Sequence, residues 1–225
     1  FVCALESAAR VYPLGDVYLL VAYNPTDELQ VDSNEALDMV LKHHHNIQVL
    51  NVDMDKLFNG TPLEDFHQSG ILKSSDFLPA HTSDIVRFLT LWLYGGKYFD
   101  MDVITFKGND WSNNGPRVIT DAMRWYTNQD LAIHMNPSNL KEFHKLNYEQ
   151  IFPLEYYELF MYFYQEDADS EYAMNRINSV NNLIGIHIGN NNMKDEKVVV
   201  GSNQAYSLIA QKYCPRSYWS AHMFF

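Results

Sequence analysis

The sequence predicts an α/β fold in which helices cover a largely parallel sheet. Helical and strand patterns alternate through the first part of the chain, as expected for layered α/β proteins. The predicted strands are short, nearly continuous apolar runs, a pattern typical of strands buried on both faces. The 225 residues are 47% hydrophobic and 20% charged, which is ordinary for a globular chain and excludes general disorder.

The elements of the first half follow from periodicity and from Pro and Gly positions. Apolar residues recur at helical spacing over 1–11, and Pro13 and Gly15 end that helix. Ser83 or Thr82 is the expected cap of an amphipathic helix that Gly95 ends. The other predicted elements are a strand over 16–23, a helix over 35–44, a strand over 47–52, an irregular connection with one short helix over 57–75, the capped helix over 83–94 and a strand over 97–106.

The second half is less regular. A polar, Gly- and Asn-rich loop is expected over 108–116, followed by a helix from Pro116 to about residue 126. The aromatic-dense stretch over 150–164 predicts no single secondary structure. The remaining predictions are a strand over 183–188, a polar loop over 191–197 and a helix over 202–213 that Cys214 and Pro215 end.

The charge balance excludes two kinds of partner. Acidic residues number 28 and basic residues 16, giving a net charge of −12. Nucleic acid as the main partner is disfavoured because phosphate binding depends on clustered Lys and Arg. Electrostatic attachment to an anionic membrane is disfavoured for the same reason. No apolar run approaches the ~20 residues that span a bilayer.

Two cysteines and one sequon are candidates for covalent features. Cys3 and Cys214 form either one bridge between the chain ends or two buried thiols, and the residues alone slightly favour the thiols. Asn59-Gly60-Thr61 is a glycosylation sequon. It carries little weight, because such triplets arise by chance and Pro62 follows.

Asp100-Met101-Asp102 is the most informative motif. Asp disfavours strand interiors, and two Asp at i and i+2 of a strand share one face. A cation between them removes their repulsion, and Mg²⁺ or Mn²⁺ prefers such carboxylates. The alternative is two solvated acids at a strand end, since an Asp-x-Asp triplet alone is weak support for a site.

The residues that precede this motif favour a ligand-binding site over two solvated acids. Asp84 and Arg87 lie about one helical turn apart and can share a face. Gly95 and Gly96 permit a sharp turn and a close approach of the backbone to a ligand.

The stretch over 78–104 resembles the DxD segment of the alpha-1,4-glycosyltransferase family that includes lactosylceramide 4-alpha-galactosyltransferase. Four further segments resemble motifs of that family in the same order: residues 3–10 its Cys-Ala-x-Glu-Ser-Ala-Ala-Arg helix, 114–116 its Gly-Pro helix start, 186–190 its His-x-Trp-Asn element, and 213–215 its Tyr-Cys-Pro ending. These matches cover nearly the whole chain.

The resemblance implies a fold and an activity. The fold would be GT-A-like and Rossmann-related, a mostly parallel sheet in a single domain over 1–225. Residues 1–107 would form the nucleotide-sugar-binding half and 108–225 the acceptor-side half. The activity would be metal-dependent, retaining α1,4-transfer of galactose or N-acetylgalactosamine from a UDP-sugar to a terminal sugar of a glycolipid. The cofactor would be Mn²⁺ or Mg²⁺.

The resemblance also implies a location in the Golgi lumen, through an N-terminal membrane anchor that is not in this chain. An oxidising lumen would favour the bridge between Cys3 and Cys214.

The resemblance implies a role for each residue that occupies a matching position in the family's motifs. Asp100 and Asp102 would bind the metal and the nucleotide-sugar, and His187 would be the third metal ligand. Asp84 and Arg87 would face the nucleotide-sugar. Alternatively, Asp84 and Arg87 form a surface pair and His187 is an ordinary half-buried histidine. No residue is implied as the catalytic group.

The implied ligand set suits the chemistry. Charge develops on the leaving diphosphate, and a cation held by two carboxylates and a neutral imidazole stays positive enough to offset it.

Other candidates are weaker. Trp111 and Asn114, in a polar loop, are candidates for acceptor contact. The run His43-His44-His45 suggests metal binding, but a solvated helix end explains it better. The acidic run over 166–169 is better explained as a solvated loop. An aromatic band could stack a sugar, although core packing is expected for most of it: Phe152, Tyr156, Tyr157, Phe160, Tyr162 and Phe163.

Three departures from the family pattern predict an incomplete domain. The family's first strand has no counterpart before Phe1, the interval over 103–110 is short, and Gly189 replaces the tryptophan of the His-x-Trp-Asn element. A catalytically inactive glycosyltransferase-like protein is therefore the main alternative. A phosphatase of the haloacid dehalogenase type, which also uses an Asp-x-Asp motif, fits less well.

Overall fold

The computed structural model describes residues 1–22, 35–106, 147–165, 168–189, 193 and 195–225. The helices within these ranges are α1 (Val2–Val11), α2 (Glu35–His43), α3 (Met54–Phe58), α4 (Glu64–Gln68), α5 (Leu78–Tyr94), α6 (Tyr156–Glu158), α7 (Ala168–Ser179), α8 (Ala205–Tyr213) and α9 (Pro215–Ser220). The strands are β1 (Val17–Ala22), β2 (Ile47–Val52), β3 (Val103–Thr105) and β4 (Gly185–His187). Short 3₁₀ helices cover Ile71–Ser74 and Tyr148–Gln150, and a π-helical turn covers Leu159–Phe163.

The parallel unit predicted near the N-terminus is confirmed. Strands β1 and β2 pair in parallel from Val17 opposite Ile47 to Ala22 opposite Val52. Helix α2 lies between them in the chain, as parallel pairing requires a crossover connection. The mixed α/β character of the prediction therefore holds.

The expected single, mostly parallel sheet is not found among the described residues. They form two separate two-stranded sheets, and the second pairs β3 with β4 in antiparallel fashion. The GT-A arrangement of the whole sheet stays a prediction.

The predicted strand over 97–106 is also shorter than expected. The Val103 amide donates to the Asp100 carbonyl at 3.1 Å, and this contact closes a turn just before β3. Asp100 and Asp102 therefore lie in that turn, so the argument that they share one face of a strand was wrong.

Helix boundaries differ from prediction where proline or a buried partner intervenes. Helix α5 begins at Leu78 rather than near Ser83, because Pro79 fits the first turn of a helix. Gly95 ends it, as predicted, with a φ of 68°. Helix α9 was not predicted; Cys214 separates it from α8.

Helix α1 joins the two ends of the chain. Cys3 and Cys214 form a disulfide with Cα atoms 5.0 Å apart, so the alternative of two thiols was wrong. The Glu6 carboxylate is fully buried and accepts hydrogen bonds from the amides of Arg216 (3.1 Å) and Ser217 (2.8 Å) at the start of α9. It also accepts the Ser217 hydroxyl at 2.8 Å.

The same helix supports the second sheet. The Ser7 hydroxyl accepts a hydrogen bond from the Thr105 amide of β3 at 3.0 Å. The largest buried cluster surrounds β3 and β4 and includes Ile104, Ile186 and Phe163. No helix in the described part of the chain combines the length and apolar character needed to cross a bilayer.

Replacing Glu6 should destabilise the fold. Glu6→Ala leaves the buried amides of Arg216 and Ser217 without acceptors, so the free energy of unfolding should fall by about 3 kcal/mol. Urea unfolding followed by circular dichroism measures this loss. The control Glu171→Ala removes an exposed carboxylate and should change stability far less. Equal losses in the two variants would contradict the assigned role of Glu6.

Stability should also depend on His44. Its side chain is 12% exposed, with Nε2 at 4.0 Å from Glu6 Oε1. Burial lowers the pKa of His44; the Glu6 charge opposes this shift, and the nearby cations, Arg216 first, reinforce it. The folded state therefore favours neutral His44, and stability should fall as the pH drops below about 6.5, the ordinary histidine pKa.

The urea midpoint measured from pH 7.5 to 5.5 tests this dependence. His44→Gln should flatten the decline. An unchanged slope in that variant would assign the pH dependence to other groups.

Candidate metal centre

Three predicted metal ligands converge in the fold. Asp100 and Asp102 lie in the turn before β3, and His187 is the last residue of β4. The register places Val103 opposite His187, so strand pairing brings the turn and the imidazole together. One ligand atom from each residue lies within 4.8 Å of the others, and these residues are the single such group of three in the described ranges.

The imidazole contacts both Asp102 and the backbone. His187 Nε2 lies 3.3 Å from Asp102 Oδ1, and the Gly189 amide donates to Nδ1 at 3.3 Å. A neutral ring that accepts at Nδ1 carries its proton on Nε2 and donates it to Asp102. Metal binding through Nε2 would require the Nε2 proton to leave. If that proton moved to Nδ1, Nδ1 could no longer accept from the Gly189 amide, and this contact would lengthen.

Arg87 holds the other carboxylate. Its guanidinium lies 2.9 Å from Asp100 Oδ1 and 3.4 Å from Asp84 Oδ1, so the predicted common face of Asp84 and Arg87 is confirmed. Its Cζ atom lies 4.5 Å above the centre of the Tyr98 ring. Charge pairing and ring stacking thus orient Arg87 toward Asp100. Among the described residues its buried Nε–H has no acceptor.

Two glycines allow the chain to reach this site from α5. Gly95 and Gly96 have φ values of 68° and 91°. Residues other than glycine rarely adopt this left-handed region, so the two glycines permit the sharp turn that precedes Tyr98 and Asp100.

Sequence reasoning missed two tyrosines that the Asp102 charge influences. Burial raises the pKa of both Tyr164 and Tyr206, and the Asp102 charge adds to the rise. They line a cavity of about 470 Å³ together with Met193 and Phe224, among others. Tyr206 lies on the predicted C-terminal helix, but a single tyrosine on a helix provides no signal of its role.

Phe152 is a third residue whose role at the site was missed. Its ring stacks on His187 with centroids 5.2 Å apart and 28° between planes. Packing explains only part of the aromatic band: Phe163 is fully buried, whereas Tyr156, Tyr157 and Phe160 are each more than half exposed.

The remaining candidates lie elsewhere. Trp111 and Asn114 fall outside the described residues. Asn59 is exposed after α3, and Gly60, with a φ of 71°, continues the turn. The Thr61 hydroxyl of the same sequon is buried and donates to the Phe58 carbonyl at 2.7 Å.

The histidine run and the acidic run do not add a metal site in the described ranges. His43 and His45 are exposed at the end of α2, as expected for a solvated helix end, but His44 is largely buried beside Glu6. Asp169 lies in the first turn of α7 rather than in a loop, and residues 166–167 are outside the described ranges.

Comparison with known proteins identifies the family. The model of the alpha 1,4-glycosyltransferase conserved region matches residues 100–221, which include Asp100, Asp102 and His187. The model of the glycosyltransferase sugar-binding region containing the DXD motif matches residues 3–118. Each match covers more than half of the chain. The chain belongs to the alpha-1,4-glycosyltransferase family.

Curated relatives agree with this assignment. Rat lactosylceramide 4-alpha-galactosyltransferase is 33% identical over 107 residues, which are 48% of this chain and 29% of the relative. Human alpha-1,4-N-acetylglucosaminyltransferase is 23% identical over 262 residues, covering 96% of this chain and 74% of the relative. The match thus spans less than a third of the rat protein. No solved structure matches.

Replacing Arg87 should lower the metal affinity of the site without removing a metal ligand. Arg87→Lys keeps the charge but loses the planar fork and its stacking on Tyr98. We expect Mn²⁺ affinity, measured by electron paramagnetic resonance, to fall about tenfold to a hundredfold, as for other partners of metal ligands. The control Arg10→Lys changes an exposed residue of α1 and should leave affinity unchanged. Unchanged Mn²⁺ affinity in Arg87→Lys would show that Asp100 does not need this clamp.

Proposed function

We propose that this protein is a metal-dependent, retaining α1,4-glycosyltransferase that moves a hexose from a UDP-sugar to a terminal sugar of a glycolipid. One observation carries the proposal: Asp100 and Asp102 lie together with His187, and the two aspartates fall within the match to the sugar-binding region containing the DXD motif. Two carboxylates and an imidazole fit Mn²⁺ or Mg²⁺, with open positions left for phosphate oxygens.

The proposed chemistry follows from charge. The bound cation would neutralise the negative charge that develops on the departing diphosphate. Arg87 offsets the charge of Asp100 and limits its movement, so the carboxylates are held in place before the donor arrives. His187 of β4 limits the movement of Asp102 through the contact of its Nε2 with Oδ1.

Two features support a binding position for the UDP-sugar. The buried Nε–H of Arg87, which lacks an acceptor among the described residues, would donate to a sugar hydroxyl or a phosphate oxygen. The 470 Å³ cavity lined by Tyr164 and Tyr206 is of ligand size and would take the uncharged nucleoside. Two of its lining residues, Glu35 and Glu196, disfavour phosphate there.

The relatives' names guide the choice of donor and acceptor. Both name α1,4-transfer, one of galactose to lactosylceramide and the other of N-acetylglucosamine. We propose UDP-galactose, or the UDP-N-acetylgalactosamine that the family resemblance implies, as the donor and a glycolipid acceptor in the Golgi lumen. The disulfide between Cys3 and Cys214 suits such an oxidising compartment.

A catalytically inactive relative is the second candidate. The match to the human transferase runs over 262 residues, more than the 225 of this chain, so part of that relative has no counterpart here. Such a protein would bind UDP and metal without transferring sugar. The family matches lend no support to a haloacid dehalogenase phosphatase.

Calorimetry with UDP and Mn²⁺ tests the nucleotide site. We expect saturable binding that requires the metal and that falls at least tenfold in Asp102→Asn, because this change removes one ligand charge while keeping the side-chain shape. The control Asp55→Asn alters a 93% exposed carboxylate and should bind UDP normally. Absence of metal-dependent UDP binding in the unmodified protein would refute the proposal.

Transfer assays then separate the two candidates. Labelled UDP-galactose, UDP-N-acetylgalactosamine and UDP-N-acetylglucosamine are each supplied with a lactoside. Transfer that disappears in Asp102→Asn supports the enzyme. UDP binding without transfer from any donor supports the inactive relative.

A further inference from the structure

A row of stacked rings leads from the metal centre to the protein surface. The Phe152 ring stacks on His187 at its inner end and on Tyr148 at its outer end. The Tyr148 and Phe152 centroids lie 4.6 Å apart with 12° between planes. Tyr148 is 57% exposed, whereas Phe152 is half-buried, so the row ends in a ring with an accessible surface.

The backbone holds this row rigidly beside β4. The Ile184 amide donates to the Gln150 carbonyl and the His187 amide to the Ile151 carbonyl, each at 3.0 Å. The Asn147 and Gln150 side chains each accept a bond from the other's backbone amide, a capping box around the 3₁₀ turn that carries Tyr148. The row is therefore arranged before any ligand binds.

A polar cavity of about 260 Å³ is lined by the chain neighbours of Tyr148. Asn147 and Glu149, the neighbours of Tyr148, line it on one side. Arg176 and Ser179 of α7 line it on the other, and Arg176 pairs with Glu149 at 3.4 Å. The cavity thus offers donors and acceptors from the two residues that flank Tyr148 in the chain and from α7.

We propose that Tyr148 and this cavity bind the inner sugars of an oligosaccharide acceptor, those that precede its reacting terminal sugar. The inference rests on the proposed function, since it takes the metal centre as the reaction site. Tyr148 is separated from His187 by one intervening ring, so a chain whose terminal sugar lies at the centre would extend along the row toward Tyr148.

The chemistry favours a sugar chain over other partners. The apolar face of a pyranose packs on an aromatic ring, while its hydroxyls need mixed donors and acceptors such as Asn147, Glu149 and Arg176. A lipid tail would leave these polar groups unpaired. A phosphate group would meet the Glu149 carboxylate, whose negative charge repels it.

Ligand length provides the test. Binding of methyl β-galactoside, lactose and a trisaccharide ending in galactose is measured by saturation-transfer NMR, with and without UDP and Mg²⁺. In Tyr148→Ala we expect the affinities for lactose and the trisaccharide to fall roughly threefold to tenfold, with that for the monosaccharide unchanged. Tyr148→Phe keeps the ring and should retain both affinities. The control Tyr18→Ala removes a ring of similar exposure, 50%, from β1.

Each other outcome overturns the inference. These outcomes are unchanged affinities in Tyr148→Ala, an equal loss for all three sugars, and no sugar binding by the unmodified protein. The NMR series without UDP and metal does not depend on the metal centre. Failure of UDP binding would therefore refute the proposed function separately, while length-dependent binding through Tyr148 would still be measured.

Discussion

The buried contacts of α1 are the interaction on which the rest of the structure depends. Glu6 accepts the first amides of α9, Cys3 is bonded to Cys214, and Ser7 accepts the Thr105 amide of β3. These contacts join residues far apart in the chain, so they stabilise the C-terminal helices and the second sheet together. A fully buried carboxylate is stable here because amide and hydroxyl donors surround it.

The geometry of the candidate metal centre depends on these contacts of α1. Strand β3 is tied to α1, β4 pairs with β3, and this pairing sets His187 beside Asp102. Two carboxylates this close would repel each other in the absence of cations, and Arg87 offsets part of that repulsion. The site is thus partly neutralised and oriented by the protein itself, which lowers the reorganisation that binding would otherwise require.

Sequence pattern predicted the elements with strong local signals. The bounds of β2 match the predicted 47–52, and those of α1 and α2 differ by one residue at one end. The prediction failed where tertiary contacts override propensity. The turn that begins at Asp100 interrupts the strand expected over 97–106. Helix α9 was missed because its N-terminal acceptor, Glu6, comes from the other end of the chain.

The sequence by itself determined the α/β class and the parallel β1–β2 unit, because periodicity is a local property of the chain, and its resemblance to the glycosyltransferase family singled out Asp100, Asp102 and His187 as candidate metal ligands. The tertiary structure alone decided the disulfide, the pairing of Arg87 with Asp100 and the stacking of Phe152 on His187. Each of these features depends on a distance between residues that belong to different elements of the fold. Such distances are set by strand pairing and core packing, which spacing along the chain does not encode.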